Sequence, residues 1–410
     1  MKIFFADNST DQITSWDSLI DDIHKTTYFN KYCYTNDYYS IFKSIIISLL
    51  LNEEIIVLDN DFSDDELRKL IGETDVLERL KIKNGCFQDI SSKKDLLREI
   101  KKATESWRLT LFTSGTTGLP KKVSHSFQSI TRFVKISKNH EGNIWGFAFN
   151  PAHIAGIQVY FQALLNGNSI IRLFGLSKEE IFKSINHYQI TNISATPTFY
   201  RLLLPHSNKY DSVLRITSGG EKFDNKLVGQ INQIFRNAKI TNVYASTEAG
   251  TLFASSGGVF SVKPELERLI MIDDGELKIH KSLLGRSDTL FDEWYKTGDL
   301  VDVRSQSPLS FTFVSRKNEM INIGGYKVNP HEVEEALRSI LQVKDCKVYS
   351  KANSILGNIL LCEVVKAEEE IDEAQIRMLL KSKLQEYKIP RIIKFVDNLS
   401  VTRTGKISRL

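Results

Sequence analysis

Residues Leu109–Ser126 read LTLFTSGTTGLPKKVSHS, and this stretch says more about the chain than any other. The apolar run Leu109–Phe112 predicts a strand that ends in a turn. Thr113, Ser114, Gly115, Thr116, Thr117 and Gly118 then crowd hydroxyls and glycines into one short loop, with Lys121 adding a positive charge at its end. Glycine lets the backbone approach an oxyanion, and consecutive N–H groups form an anion-binding nest. The stretch therefore reads as a phosphate-handling loop, the alternative being a polar hairpin turn without a ligand. It is not a Walker loop, because the GxxxxGK[ST] spacing is absent and Pro120 opposes an immediate helix.

Working outward, 410 residues exceed what one compact core usually holds, so at least two domains are expected. Hydrophobic residues at 41% mark a globular chain rather than a disordered one. The net charge of +4 is too small to argue for nucleic acid or a membrane surface. Cys33, Cys86, Cys346 and Cys362 form no CxxC pair, which suits reduced thiols and speaks against a zinc site. The first apolar stretch, Ile3–Ala6, stops at Asp7 and is no export signal. The longest, Ser44–Leu51, is too short to span a bilayer and reads as a buried helix leading into a strand. A soluble cytoplasmic protein is expected.

Helical and strand-like segments alternate through the first three hundred residues. Expected helices include Tyr38–Leu51, Asp64–Gly72, Phe127–Lys135, Ile154–Asn166 and Asp224–Phe235. Expected strands include Ile55–Leu58, Leu109–Phe112, Trp145–Phe149, Ser169–Leu173, Asn192–Ala195, Val213–Ser218 and Thr241–Tyr244. The alternation predicts an α/β layered architecture with largely parallel sheets. Thr113–Gly118, Pro151–His153, Ser218–Glu221 and Ala245–Glu248 all fall at strand ends, where ligands collect in open α/β sheets. After about Arg316 the character changes. A helix begins at Asn329-Pro330, two strands surround a turn at Asn353–Asn358, and a helix over Asp372–Gln385 precedes a strand at Ile392–Val396. These predict a small α+β domain.

Thr113–Lys121, TSGTTGLPK, resembles the phosphate-loop signature of the adenylate-forming superfamily, which includes acyl-CoA synthetases, nonribosomal-peptide adenylation domains and luciferases. Further segments carry the resemblance in family order, from Leu109 to the C-terminus. Tyr244–Glu248, YASTE, is similar to the family's YGxTE. By that likeness Tyr244 stacks on the base, Thr247 meets a phosphate and Glu248 holds Mg²⁺; read locally, Thr247 caps a helix. Tyr295–Leu300, YKTGDL, matches YRTGDL, where the aspartate accepts from the ribose hydroxyls, implying that role for Asp299. Ser218–Glu221, SGGE, matches the segment against adenine and implies Gly219, Gly220 and Glu221 as nucleotide contacts. Asp274–Leu277 resembles the family's GEL hairpin.

Ser315–Glu334 resembles the stretch where the family's two domains join. Arg316 takes the place of a nucleotide-contacting arginine. Asn318 falls on the hinge, where aspartate or lysine is usual, and Gly324 and Gly325 match a pair beside the thiol channel. Thr402–Lys406, TRTGK, matches TxxGK and implies Lys406 as the adenylation lysine, although Ser400 replaces the usual preceding proline. Pro151–Gly156 loosely resembles PxxHxxG of CoA ligases, which would put His153 and Gly156 by the acyl pocket.

The resemblance implies the adenylate-forming enzyme fold, with a large domain over residues 1–316 and a small mobile one over 319–410. It implies an AMP-forming acid–thiol ligase using ATP, Mg²⁺ and coenzyme A on a small-molecule carboxylic acid. An acyl carrier protein bearing phosphopantetheine is the alternative acceptor, and a catalytically silent nucleotide-binding scaffold is a rival from another class. The segment Phe149–Gly156 lacks the aspartate with which amino-acid-activating relatives bind the amino group. An aromatic or fatty acid is therefore expected. The chain is compact for the family, with few residues before the phosphate loop and a short connection from Glu248 to Gly275.

Overall fold

The computed structural model describes residues 2–401 apart from 61, 63, 72–78, 104–105, 114–120, 222–224, 288–291, 318, 324–325, 354–356 and 368–369. Among the expected site residues, Ser114, Gly115, Thr116, Thr117, Gly118, Asn318, Gly324, Gly325 and Lys406 lie outside the described residues.

The main sheet has eight strands in the order Gly250–Ser255, Lys239–Ser246, Arg215–Gly219, Asn192–Ala195, Ile144–Phe147, Ser169–Arg172, Ile3–Asp7 and Gln12–Ser15. Its inner strands are all parallel, and only the two edge strands run antiparallel. Asn192–Ala195 is buried along its whole length, as expected of a parallel strand covered on both faces. Helices cross between the strands. One of them, Ile154–Leu164, buries Ile157, Tyr160, Phe161 and Leu164.

A second sheet joins Tyr32–Tyr34, Ile55–Leu58 and Arg108–Thr113 in parallel, then turns back through Lys121–Ser126 to the short strand Arg286–Ser287. The helix Tyr38–Leu51 is apolar nearly all round and packs in the core, as such helices must. Asp37 caps it, its carboxylate accepting from the N–H groups of Tyr39 and Ser40. The helix ends at Asn52, whose φ of 56° is a left-handed cap.

The third sheet departs from the expectation of parallel strands. Val259–Ser261, Leu309–Arg316, Trp294–Gln306, Glu276–His280 and Ile270–Asp273 form five antiparallel strands. Tight turns replace crossover helices here. Asp274 and Gly275 have φ of 49° and 72°, the left-handed pair that joins twisted hairpin strands. Its own apolar cluster, including Leu252, Phe260, Leu277, Ile279 and Phe311, separates it from the main core.

The small C-terminal domain is α+β. Val343–Asn353 and Gly357–Lys366 pair antiparallel, and Ile392–Phe395 adds in parallel. Helices Pro330–Arg338 and Glu373–Lys381 bury Val333, Leu337, Ile376 and Leu380 in a distinct cluster. Two helices end four residues earlier than expected. Phe127–Thr131 stops at Thr131, whose hydroxyl bonds back to the Phe127 carbonyl. Glu373–Lys381 gives way to an irregular turn before Gln385.

Gly219 shows how tightly the main sheet is built at its site end. It pairs with Val243 across parallel strands, and a Cβ there would lie 2.6 Å from Val243 Cγ2 and 2.9 Å from the Val243 carbonyl oxygen. Gly219→Ala is expected to cost about 1–3 kcal/mol, the usual penalty of overpacking. A urea-denaturation midpoint equal to wild type would refute that close approach.

Candidate functional site

The strand ends of the main sheet and the antiparallel sheet meet around Tyr244. Asp299 and Arg316 are cross-strand partners in the hairpin Trp294–Gln306/Leu309–Arg316, so the register itself sets guanidinium beside carboxylate. Arg316 Nε donates to Asp299 Oδ1 at 3.0 Å, and the Tyr244 hydroxyl donates to Asp299 Oδ2 at 2.6 Å. Asp299 is only 6% exposed. Burial would favour a neutral Arg316, but the Asp299 carboxylate holds its pKa above the ordinary value. Burial, and then Asp299, push the Tyr244 phenol well up, so it stays a neutral donor. The Tyr244 ring stacks on Phe313, centroids 4.4 Å apart, which fixes its plane.

The stretch of strand carrying Asp299 is braced by its neighbours. Thr297 Oγ1 donates to the Leu277 carbonyl at 2.7 Å and accepts from the Asp299 N–H at 3.0 Å. Glu276, 6% exposed, accepts from the Gly298 N–H at 3.0 Å and from Lys317 Nζ at 3.3 Å. The GEL segment thus acts through its glutamate, a residue the sequence reading left without a role.

Thr247 and Glu248 lie in a turn between the antiparallel strands Lys239–Ser246 and Gly250–Ser255, so Thr247 does not cap a helix. Gly250, with φ of 68°, starts the return strand against Gln158, which fastens Thr251. The Tyr295 hydroxyl hydrogen-bonds the Glu248 carboxylate, and burial, then Glu248, raise its pKa. Among the described residues no group of three or more His, Cys, Asp or Glu is placed to hold a metal. A single carboxylate with free acceptor capacity suits magnesium, which is commonly bound by one or two carboxylates plus substrate phosphates.

His125 joins this turn to the phosphate-loop hairpin. Thr113 and Lys121 pair across that hairpin, and Lys121 is exposed. Four residues on, His125 is 2% exposed, and its Nε2 lies 2.8 Å from the Thr247 carbonyl. Burial depresses its pKa, partly opposed by that hydrogen bond. This histidine stands within Leu109–Ser126, and no motif marks it. Its alternation with the buried Val123 marks it as facing inward.

Among the other expected residues, Glu221 serves the scaffold. The Glu221 carboxylate accepts from the N–H and hydroxyl of Thr198 at the start of helix Pro197–Leu202, so its side chain caps a helix rather than standing open. Gly220 has φ of 83°. Gly156 packs against the Asn150 carbonyl, where a Cβ would come within 2.5 Å. His153 precedes helix Ile154–Leu164, and its Nε2 lies 3.0 Å from Asp59 Oδ2 without the alignment of a hydrogen bond. Asn150 Nδ2 donates to the other Asp59 oxygen at 3.3 Å. Asp59 was not expected at the site. It follows the strand Ile55–Leu58 and reaches His153 only through sheet packing.

A model of the AMP-binding enzyme matches residues 45–270, and one of the AMP-binding enzyme C-terminal domain matches residues 332–406. The chain belongs to the AMP-binding enzyme family. It is an adenylate-forming enzyme, an AMP-forming ligase of the acyl-CoA synthetase type. A 2-succinylbenzoate–CoA ligase of Listeria monocytogenes serotype 4b (strain F2365) is 26% identical over 338 residues, covering 74% of this chain and 70% of that protein. A putative long chain fatty acid-CoA ligase, VraA, of Staphylococcus haemolyticus (strain JCSC1435) is 27% identical over 391 residues, covering 88% and 82%. In fold, the enzyme resembles the o-succinylbenzoate coenzyme A synthetase of Bacillus subtilis solved with ATP and magnesium ion. That match has a TM-score of 0.71 at 18% identity and covers 100% of this chain and 96% of the other. ATP-bound MatB of Rhodopseudomonas palustris gives 0.74 at 16%, covering 99% and 94%. In this AMP-binding enzyme no helix among the described residues is long and apolar enough to cross a membrane.

Proposed function

We propose that this enzyme joins an aromatic or fatty carboxylic acid to coenzyme A in two steps. An oxygen of the acid attacks the α-phosphorus of ATP, the α–β phosphoanhydride bond breaks, and pyrophosphate leaves. The coenzyme A thiol, losing its proton, then attacks the acyl carbon, and the bond to AMP breaks. The observation that carries this reading is Asp299, held between Tyr244 and Arg316 beside the Glu248 turn. A carboxylate offers about four acceptor positions. Two are taken here, which leaves room for both hydroxyls of a ribose.

No side chain need act as a covalent nucleophile, since positioning and charge neutralisation suffice for such chemistry. Glu248 would hold Mg²⁺, which would supply charge to the phosphate oxygens. Thr247, Lys121 and the loop from Thr113 to Gly118 would meet the phosphates, and Gly219 and Gly220 the adenine. His153 and Gly156 would border the acyl group. Residues 319–410 would turn about Asn318, carrying Lys406 in for the first step and Gly324-Gly325 toward the thiol for the second. The carboxylate missing from Phe149–Gly156 has a spatial counterpart in Asp59, but its oxygens already face His153 and Asn150. That supports an acid without an α-amino group.

The test is pyrophosphate release over a panel of aryl, fatty and amino acids, repeated with coenzyme A and with a phosphopantetheinylated carrier protein. Aryl or fatty acids with free coenzyme A should give AMP and thioester. Turnover confined to carrier protein would replace the acceptor, and no turnover with any acid would favour a silent scaffold. Within the same assay, Glu248→Gln is expected to raise the Mg²⁺ concentration at half-maximal rate by about tenfold or more, the loss of one charged ligand contact. An unchanged Mg²⁺ titration would remove Glu248 from the site.

A further inference from the structure

We infer that His125 is a positioning residue that ties the strand leaving the phosphate loop to the turn bearing Glu248, and so aims that carboxylate at the phosphates. The inference rests on the reading of Glu248 given above. His125 and Thr247 are 122 positions apart in sequence, yet imidazole Nε2 and the Thr247 carbonyl oxygen are 2.8 Å apart. A carbonyl only accepts, so Nε2 carries the hydrogen. Nδ1 is then the acceptor, facing the Ser129 hydroxyl at 3.4 Å.

The next carbonyl of the turn, that of Glu248, accepts from the Gly285 N–H at 2.7 Å. Gly285 has no space for a side chain. A Cβ there would lie 2.9 Å from His125 Cε1 and 2.9 Å from Val123 Cγ1. Imidazole, Gly285 and turn are therefore one packed unit. Two successive turn carbonyls are pinned, one by His125 of the strand Lys121–Ser126 and the other by Gly285, just before the strand Arg286–Ser287, and the side chain between them is Glu248. A turn pinned in this way has few conformations left to lose when the nucleotide binds. Of these two contacts only the first is made by a side chain, so the Nε2–H donor of the ring, rather than its bulk, is the feature to remove.

The geometry separates two amide substitutions. The amide introduced by His125→Gln would place a donor near the position of Nε2, whereas the shorter amide of His125→Asn reaches only about as far as Nδ1. His125→Asn should raise the Mg²⁺ concentration at half-maximal pyrophosphate release by about tenfold, the scale of one lost hydrogen bond. The KM for the acid should stay within about twofold. His125→Gln should return the Mg²⁺ titration to within about threefold of wild type. The same order should appear without turnover, in the rise of thermal midpoint that ATP produces as Mg²⁺ is added, since ligand binding stabilises by mass action. Gly285→Ala, which pushes the ring aside, should shift both readouts in the direction of His125→Asn and serves if the histidine variants fail to fold.

A folded His125→Asn with wild-type Mg²⁺ dependence, beside a Glu248→Gln that is impaired, overturns the inference. So does a folded His125→Gln no better than His125→Asn. If wild type releases no pyrophosphate with any acid, the acid-ligase reading fails by itself, and the thermal-shift series still decides the role of His125.

Discussion

Lys406→Ala is expected to slow acyl-adenylate formation by about 10²- to 10³-fold, the effect of removing one preorganised donor aimed at developing charge. Its motivation is the TRTGK match, a resemblance that implies a point cation where the acid carboxylate and the α-phosphate would meet. Both carry negative charge, and their approach is unfavourable until something neutralises it. A lysine brought in by a turning domain would do so only during the first step. Thioester formation from supplied acyl-adenylate should therefore survive. The measurement is single-turnover kinetics of each half-reaction on one variant. Equal losses in both would rule out a lysine that works in only one arrangement of the domains.

Asp299→Ala is expected to raise the KM for ATP by about 10²-fold. Hydrogen bonds to a charged group contribute roughly 1.5–3 kcal/mol each. Two ribose hydroxyls on this carboxylate would make a loss of at least about 3 kcal/mol, and about 1.36 kcal/mol is tenfold. The substitution also strips Tyr244 and Arg316 of their shared acceptor. Steady-state pyrophosphate release with the acid saturating measures it. Asp299→Asn, which keeps one acceptor oxygen, should fall between. A KM within about twofold of wild type for Asp299→Ala would take this carboxylate off the nucleotide.

Much of the fold was legible because parallel α/β units are local in pattern. Tyr38–Leu51, Ile55–Leu58 and Asn192–Ala195 form with the expected bounds, since each is a short apolar run or an apolar helix between clear turn signals. The five-stranded antiparallel sheet was not legible. Its strands are half-exposed, and Trp294–Gln306 alternates buried and polar positions too irregularly to announce a partner. Two of its register shifts occur within the very hairpin that pairs Asp299 with Arg316.

The candidate site divides in the same way. Glycines, hydroxyls, Glu248, Asp299 and Arg316 could be named from short motifs, because phosphate, metal and diol each demand particular atoms at particular spacings. The sequence alone therefore determined the family resemblance, the alternating α/β plan and the residue types brought to the chemistry. Which of those residues touch was decided by tertiary structure. Tyr244 reaches Asp299 across 55 positions and His125 reaches Thr247 across 122. Glu221 turned out to cap a helix and Asp59 to face His153. Such contacts depend on strand register and on how two sheets pack, and a one-residue slip in register turns a side chain to the opposite face. No local spacing records that choice; it is made where the sheets close on one another.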